Sequence, residues 1–133
     1  MFSLDFTVRD YECDLQGIVN NSVYLNYFEH ARHAFLKSRG IGFAAMHAEG
    51  LDAVVHSIEV TYRESLRSGD GFEVRLRVER EGRLRIIFVQ EAVKAGGTVA
   101  AKARVTAVLT RGGRPVPPEA GMDALLLGPA RPG

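Results

Sequence analysis

Phe2, Leu4, Phe6 and Val8 alternate with polar residues in FSLDFTVR, a period of two that predicts a half-buried strand. From Val23 to Arg39 the period becomes helical. Tyr24, Tyr27, Phe28, Ala31, Ala34 and Phe35 form one stripe, while Asn26, His30, His33 and Lys37 point the other way. Asn21 or Ser22 suits the N-cap, Lys37 and Arg39 suit the negative end of the helix dipole, and Gly40 suits the stop. An aromatic stripe about five turns long needs a broad apolar cover.

Downstream segments supply it. In VVHSIEVTYRESL, Ile58, Val60 and Tyr62 alternate with Ser57, Glu59 and Thr61. FEVRLRVER sets Phe72, Val74, Leu76 and Val78 against Glu73, Arg75, Arg77 and Glu79. LRIIFVQEAV is apolar on both faces from Ile86 to Val89, and TVAAKARVTAVLT is rich in small side chains. SGDG, EGR and AGG separate these runs as hairpin turns, which predicts an antiparallel meander. From RGGRPVPPEAG onward the pattern reads as loop, with a short apolar turn at Met122–Leu127. The expected architecture is α+β: one long helix on a curved antiparallel sheet of about five strands. It occupies a single domain over residues 1–133, with a tail from about residue 118. Leu25 and Leu36 lie off the stripe, and a sheet wrapped round one helix keeps its edges. Both features lead us to expect a homodimer or homotetramer.

Composition narrows the function. The chain has 133 residues, 46% hydrophobic and 25% charged, as in an ordinary soluble domain. Its net charge of +1 argues against a nucleic-acid partner. Residues 1–82 carry 9 Lys/Arg against 13 Asp/Glu, whereas residues 83–133 carry 8 against 3, so the basic excess lies in the later strands. The single cysteine, Cys13, excludes an internal disulfide. Neither a secretory leader nor an apolar run long enough to span a bilayer is present, so we expect no membrane partner and a cytoplasmic location.

The candidate chemistry sits in YECDLQGIVNNSVYLNYFEHAR, where a polar loop becomes the helix. Asp14 stands just before Gly17, Ile18 and Val19, and there it is either a turn-maker or a reagent. The loop D-L-Q-G-I-V-N-N, the helix Y-x-x-Y-F-E-x-A-R and the following strands resemble the hot-dog fold acyl-CoA thioesterases, in particular the 4-hydroxybenzoyl-CoA thioesterase-like branch. The similarity runs from Phe2 to about Pro117, with a second echo at Tyr62 and Arg67-Ser68-Gly69-Asp70.

The resemblance implies that Asp14 is the catalytic carboxylate, acting as general base or as nucleophile. It implies that the backbone N–H of Asn21 helps form an oxyanion hole. From their place in and beside the loop we expect Gly17, Ile18, Val19 and Tyr24 to line the substrate site, with plain core the alternative for Tyr24. Coenzyme A would belong to the substrate, with its phosphates near Arg67 and Arg63, and neither a cofactor nor a metal would be needed. Many relatives place a histidine seven residues after the aspartate, where this chain has Asn21. An asparagine donates a hydrogen bond but does not shuttle protons near neutral pH. Glu29 is a rival acid, though pairing with Arg32 or His33 on the helix surface fits it better. Cys13 reads as a small filler, and His30 and His33 as solvated side chains. Hydrolysis of acyl groups on a carrier protein and binding of acyl-CoA without cleavage are the alternatives.

Overall fold

The computed structural model of the chain describes residues 1–127. Strand β1 (Phe2–Thr7) leads through a single 3-10 turn (Asp10–Glu12) into helix α1 (Asn21–Ser38) and the short helix α2 (Phe43–Ala48). The long strands β2 (Leu51–Tyr62), β3 (Gly71–Glu81), β4 (Arg85–Lys94) and β5 (Val99–Arg111) follow, then β6 (Arg114–Val116) and helix α3 (Ala120–Leu127). The sheet order is β1-β3-β4-β5-β2, with β6 added beside β5, and every pairing is antiparallel. A curled antiparallel sheet around one long helix is the hot-dog arrangement.

Four expectations change. The meander holds only for β3, β4 and β5; β2 crosses over to pair with β5, from Leu51↔Arg111 to Tyr62↔Ala101. The sheet has six strands because Arg114–Val116, read from sequence as loop, pairs with Leu109–Arg111. The tail folds as α3 rather than a turn, and residues 128–133 of the predicted tail lie outside the described residues. The helix N-cap is Asn20, one residue earlier than expected: its side chain accepts from the Ser22 N–H.

Alternation builds the core. Phe72, Val74 and Leu76 of β3, Ile86, Phe88 and Ala92 of β4, and Ala101, Ala103, Val105 and Ala107 of β5 join Tyr24, Tyr27, Phe28, Ala31 and Phe35 of α1 in one buried cluster. Aromatic edges lock the β1 side, with Phe6 stacked on Phe72 at 5.2 Å and Tyr27 edge-on to Phe72 at 4.9 Å. At the other end of the helix, Phe35 meets Phe2 at 5.6 Å and Phe88 at 6.5 Å. Leu36 is buried inside the protomer beside Ile41, Phe43 and Met46, whereas Leu25 remains exposed. Phe28 lies at the centre with 1% exposure. Replacing it by alanine is expected to cost about 3–5 kcal/mol, measured as a lowered midpoint in denaturant titration.

Strand β2 is the exception to burial. It forms one end of the sheet, and Val54, Val55, Ile58 and Tyr62 are 40–46% exposed along it. A register shift at His56 marks a bulge within its pairing to β5. Its outer edge offers unpaired N–H and C=O groups over a strand of 12 residues.

Candidate active site

The site begins with how the loop after β1 is held. The Glu12 carboxylate accepts from the Arg9 N–H at 2.8 Å and from the Tyr27 hydroxyl at 2.9 Å, tying the 3-10 turn to α1. Burial and this anionic acceptor raise the Tyr27 phenol far above its ordinary pKa, so it stays a proton donor. Burial also raises the Tyr24 phenol. An antiparallel bridge between Cys13 and Val19 then folds the chain back on itself. Asp14 therefore sits beside Ile18, close in sequence to the helix cap.

Asp14 organises that fold. Its N–H donates to the Ile18 carbonyl at 2.9 Å, and its own carbonyl accepts from Gly17 N–H at 3.0 Å. Its Oδ1 accepts from the Gln16 N–H at 2.8 Å and more distantly from Ile18 N–H at 3.4 Å. Gly17 closes the turn at φ +79°, a conformation a side chain resists, although a Cβ there would meet nothing within 4 Å. Gly17→Ala is therefore expected to cost about 1–2 kcal/mol through backbone strain alone, read by thermal unfolding. Only one oxygen of Asp14 serves the turn: Oδ2 makes no hydrogen bond among the described residues, and the side chain is exposed. The turn therefore occupies one oxygen of the carboxylate and leaves the other open.

The amides tell a parallel story. Gln16, Gly17 and Ile18 donate within the turn, Val19 donates to Leu66 and Asn20 donates to Glu12. At the helix start, Ser22 N–H is taken by the Asn20 side chain at 3.1 Å and Val23 N–H by the Asn20 carbonyl at 2.9 Å. Among the described residues the Asn21 N–H has no acceptor, nor does that of Leu15 at the exposed loop tip. The Asn21 N–H stands in the first turn, where the helix dipole is positive. The Tyr62 hydroxyl donates to the Asn21 carbonyl at 3.1 Å, and the Tyr62 ring meets Tyr24 edge-on at 5.2 Å, fastening the end of β2 to the helix entrance.

The other sequence candidates distribute as follows. Val19 is 3% exposed in the core and Tyr24 3% exposed, so both act through packing; Ile18 is half-buried and bridged to Arg67. Arg63 and Arg67 are exposed, and neither guanidinium makes an ion pair or hydrogen bond among the described residues. Leu15, at the loop tip, is fully exposed. Glu29 is also exposed, but the surface pairing with Arg32 expected from sequence is not formed: Arg32 turns inward to Gln90. His30 packs against Phe6 and His33 against Phe43. Among the described residues no three His, Cys, Asp or Glu side chains gather as a metal-ligand set. No described helix is long and apolar enough to cross a membrane. Grooves of about 400 Å³ and 650 Å³ open on either side of β1, and neither includes Asp14 or Asn21. The carboxylate and the free amide instead stand on open surface at the same end of the molecule as Tyr62.

Comparison with known proteins agrees with this architecture. A hypothetical protein from Aquifex aeolicus superposes with a TM-score of 0.88 at 32% identity, covering 95% of this chain and 99% of that one. The acyl-acyl carrier protein thioesterase ATL3 of Arabidopsis thaliana, a chloroplastic protein, is 40% identical over 85 residues, 64% of this chain and 45% of that protein. The acyl-CoA thioester hydrolase YbgC of Escherichia coli is 27% identical over 97 residues, 73% of this chain and 72% of that protein. This chain thus spans about half the length of its Arabidopsis relative. The sequence profile of the thioesterase-like superfamily matches residues 8–126, from the end of β1 into α3. That span takes in the Asp14 turn, the Asn21 amide and all four long strands, and the chain belongs to the thioesterase-like superfamily.

Proposed function

We propose that this protein hydrolyses acyl-CoA thioesters to a carboxylic acid and CoA, using Asp14 and the Asn21 N–H. The observation that carries the reading is that one oxygen of Asp14 and the Asn21 N–H at the helix start have no partner among the described residues, while the amides from Gln16 to Asn20 and those of Ser22 and Val23 are engaged. Thioester hydrolysis asks for just these two things. A water oxygen attacks the carbonyl carbon as Asp14 Oδ2 takes the proton, or Oδ2 itself attacks to give a mixed anhydride that water then opens. The carbonyl oxygen becomes negative and is received by the Asn21 N–H; one such donor typically contributes roughly a hundredfold or more in rate. The C–S bond then breaks. A thiolate whose conjugate acid has a pKa of about 8.5 leaves without strong acid assistance, so an asparagine at position 21 is chemically sufficient. No cofactor enters, since CoA belongs to the substrate, and the exposed guanidinium groups of Arg63 and Arg67, unpaired among the described residues, would receive its phosphates.

The missing wall of the site is a second copy of the chain. Asp14 is exposed in one protomer, and the uncovered edge β2 is fastened to the same helix entrance through Tyr62. Antiparallel pairing of two β2 edges about a two-fold axis would bury Val54, Val55, Ile58 and Tyr62 and close a cleft beside Asn21.

The test is thiol release from a panel of acyl-CoA thioesters. An acyl group on carrier protein is the second reading, favoured by the Arabidopsis relative, and matched carrier-bound thioesters in the same panel separate the two. Tight acyl-CoA binding in calorimetry with no thiol released would instead mark a binding module.

A further inference from the structure

Asp14 and the Asn21 N–H stand at the two ends of one short ribbon. Residues 12–14 run antiparallel to residues 18–20, with Cys13 bridged to Val19. The Asp14 N–H donates to the Ile18 carbonyl at 2.9 Å, and the Asn20 N–H donates to the Glu12 carbonyl at 3.1 Å. The second side of the ribbon is pinned to the segment between β2 and β3, because the Val19 N–H donates to the Leu66 carbonyl at 2.8 Å and Ile18 bridges to Arg67. The first side carries Asp14. Among the described residues it reaches the body of α1 through one hydrogen bond, from the Tyr27 hydroxyl to Glu12 Oε1 at 2.9 Å.

Tyr27 is built as a rigid strut. It is 4% exposed, and its ring is held by Phe72 at 4.9 Å, Phe6 at 5.4 Å and Tyr24 at 6.0 Å. It lies six residues beyond Asn21, about 9 Å along the axis, and helical side chains lean back toward the N-terminus. The hydroxyl is thereby carried back toward the helix entrance. Glu12 is the matching socket. Its Oε1 also accepts from the Arg9 N–H at 2.8 Å while its own N–H donates to the Arg9 carbonyl at 3.0 Å, so the 3-10 turn closes around it. With side chain and backbone both fixed, Glu12 transmits its position in two directions. Along the chain it sets Asp14, two residues later. Across the ribbon its carbonyl sets the Asn20 N–H, next to Asn21.

We propose that Tyr27 and Glu12 are positioning residues, which together hold the Asp14 carboxylate and the Asn21 N–H at the separation a thioester carbonyl needs. The inference rests on the proposed hydrolytic site at Asp14 and Asn21 and names what keeps its two halves in register. Neither side chain is bonded to Asp14 or Asn21, and the Tyr27 hydroxyl is taken by Glu12. Their effect is therefore geometric. Losing the strut lets the loop drift against the helix, and a misplacement of about 1 Å costs up to about a hundredfold in rate. What the strut requires at position 12 is an acceptor oxygen rather than a charge, and glutamine supplies one.

The experiment measures steady-state hydrolysis of the acyl-CoA thioester that the native protein cleaves fastest, well below the unfolding midpoint of each variant. Tyr27→Phe keeps the ring and removes the hydroxyl; kcat is expected to fall by about tenfold while KM stays within about twofold. Glu12→Leu, which removes the acceptor, is expected to match it, and the double variant to be no slower than either single one. Glu12→Gln is expected to retain most of the native kcat, because its amide oxygen takes both bonds. An unchanged kcat in folded Tyr27→Phe overturns the proposal. So does a loss carried by KM, or two single losses that multiply in the double variant. A glutamine variant as slow as the leucine one overturns it too, because the charge of Glu12 then matters and its acceptor does not. If Tyr27→Phe fails to fold, the two Glu12 variants decide. Should the native protein release no thiol, the reading of Asp14 fails separately. Hydrogen exchange at the Asn20 amide then tests the strut: it is expected to quicken by about tenfold in Tyr27→Phe, and unchanged protection overturns the proposal.

Discussion

Asp14→Asn is expected to lower kcat for acyl-CoA hydrolysis by about 10²–10⁴-fold while leaving the unfolding midpoint nearly unchanged. The substitution separates the turn role of the side chain from its proposed catalytic one. Asparagine retains an oxygen in the position of Oδ1, so the bonds from Gln16 and Ile18 N–H persist and the turn survives. Lost are the negative charge and the basic second oxygen, the atom with no structural bond. Asp14→Ala removes both, so it is expected to lose activity to the same extent and to lose stability as well. If Asp14 were only a turn-maker, asparagine would be nearly silent and alanine alone would matter; full activity in the asparagine variant would dismiss the catalytic assignment. Mass spectrometry of acid-quenched enzyme divides the remaining routes. An acyl adduct on Asp14 marks a nucleophile, and a solvent isotope effect without an adduct marks a general base.

Local pattern made much of this architecture legible. The period-two runs in β1 and β3 and the aromatic stripe of α1 each report a neighbour a few residues away, which a single sequence records directly. What stayed hidden depends on partners far along the chain. Strand β2 has the same alternation whether it pairs with β3 or crosses to β5, and only the closed sheet decides. Arg114–Val116 becomes a strand because Leu109–Arg111 offers it an edge, not because RPV favours one. Arg32 was misread as a surface charge because its place on the helical wheel borders the stripe. The signal that locates it is Gln90, a polar residue at an inward position of the otherwise apolar run IIFVQ, which a buried environment tolerates only with a partner. At the site, the residue types of the Asp14 turn were readable. The free Asn21 amide at the helix start was not, because it stands out only once Leu66 and Glu12 have taken the Val19 and Asn20 amides before it.

The same long-range logic governs the largest effect expected away from the reacting atoms. Ile58 lies on β2, paired with Val105 and 40% exposed, between Val54–Val55 and Tyr62. Ile58→Asp should change little in an isolated protomer, since the carboxylate would face water. Across a two-fold interface each substitution occurs twice, and two desolvated carboxylates near one axis cost several kcal/mol. The dissociation constant is therefore expected to rise by about a hundredfold or more, read by analytical ultracentrifugation over a dilution series. Circular dichroism is expected to remain native, which separates dissociation from unfolding. Hydrolysis should fall in step with the dimer fraction and recover at high protein concentration, because in the proposed dimer the partner supplies the wall that closes the cleft beside Asn21. A monomeric variant that retains full activity would place the complete site within one chain, and an unchanged association state would remove β2 from the interface.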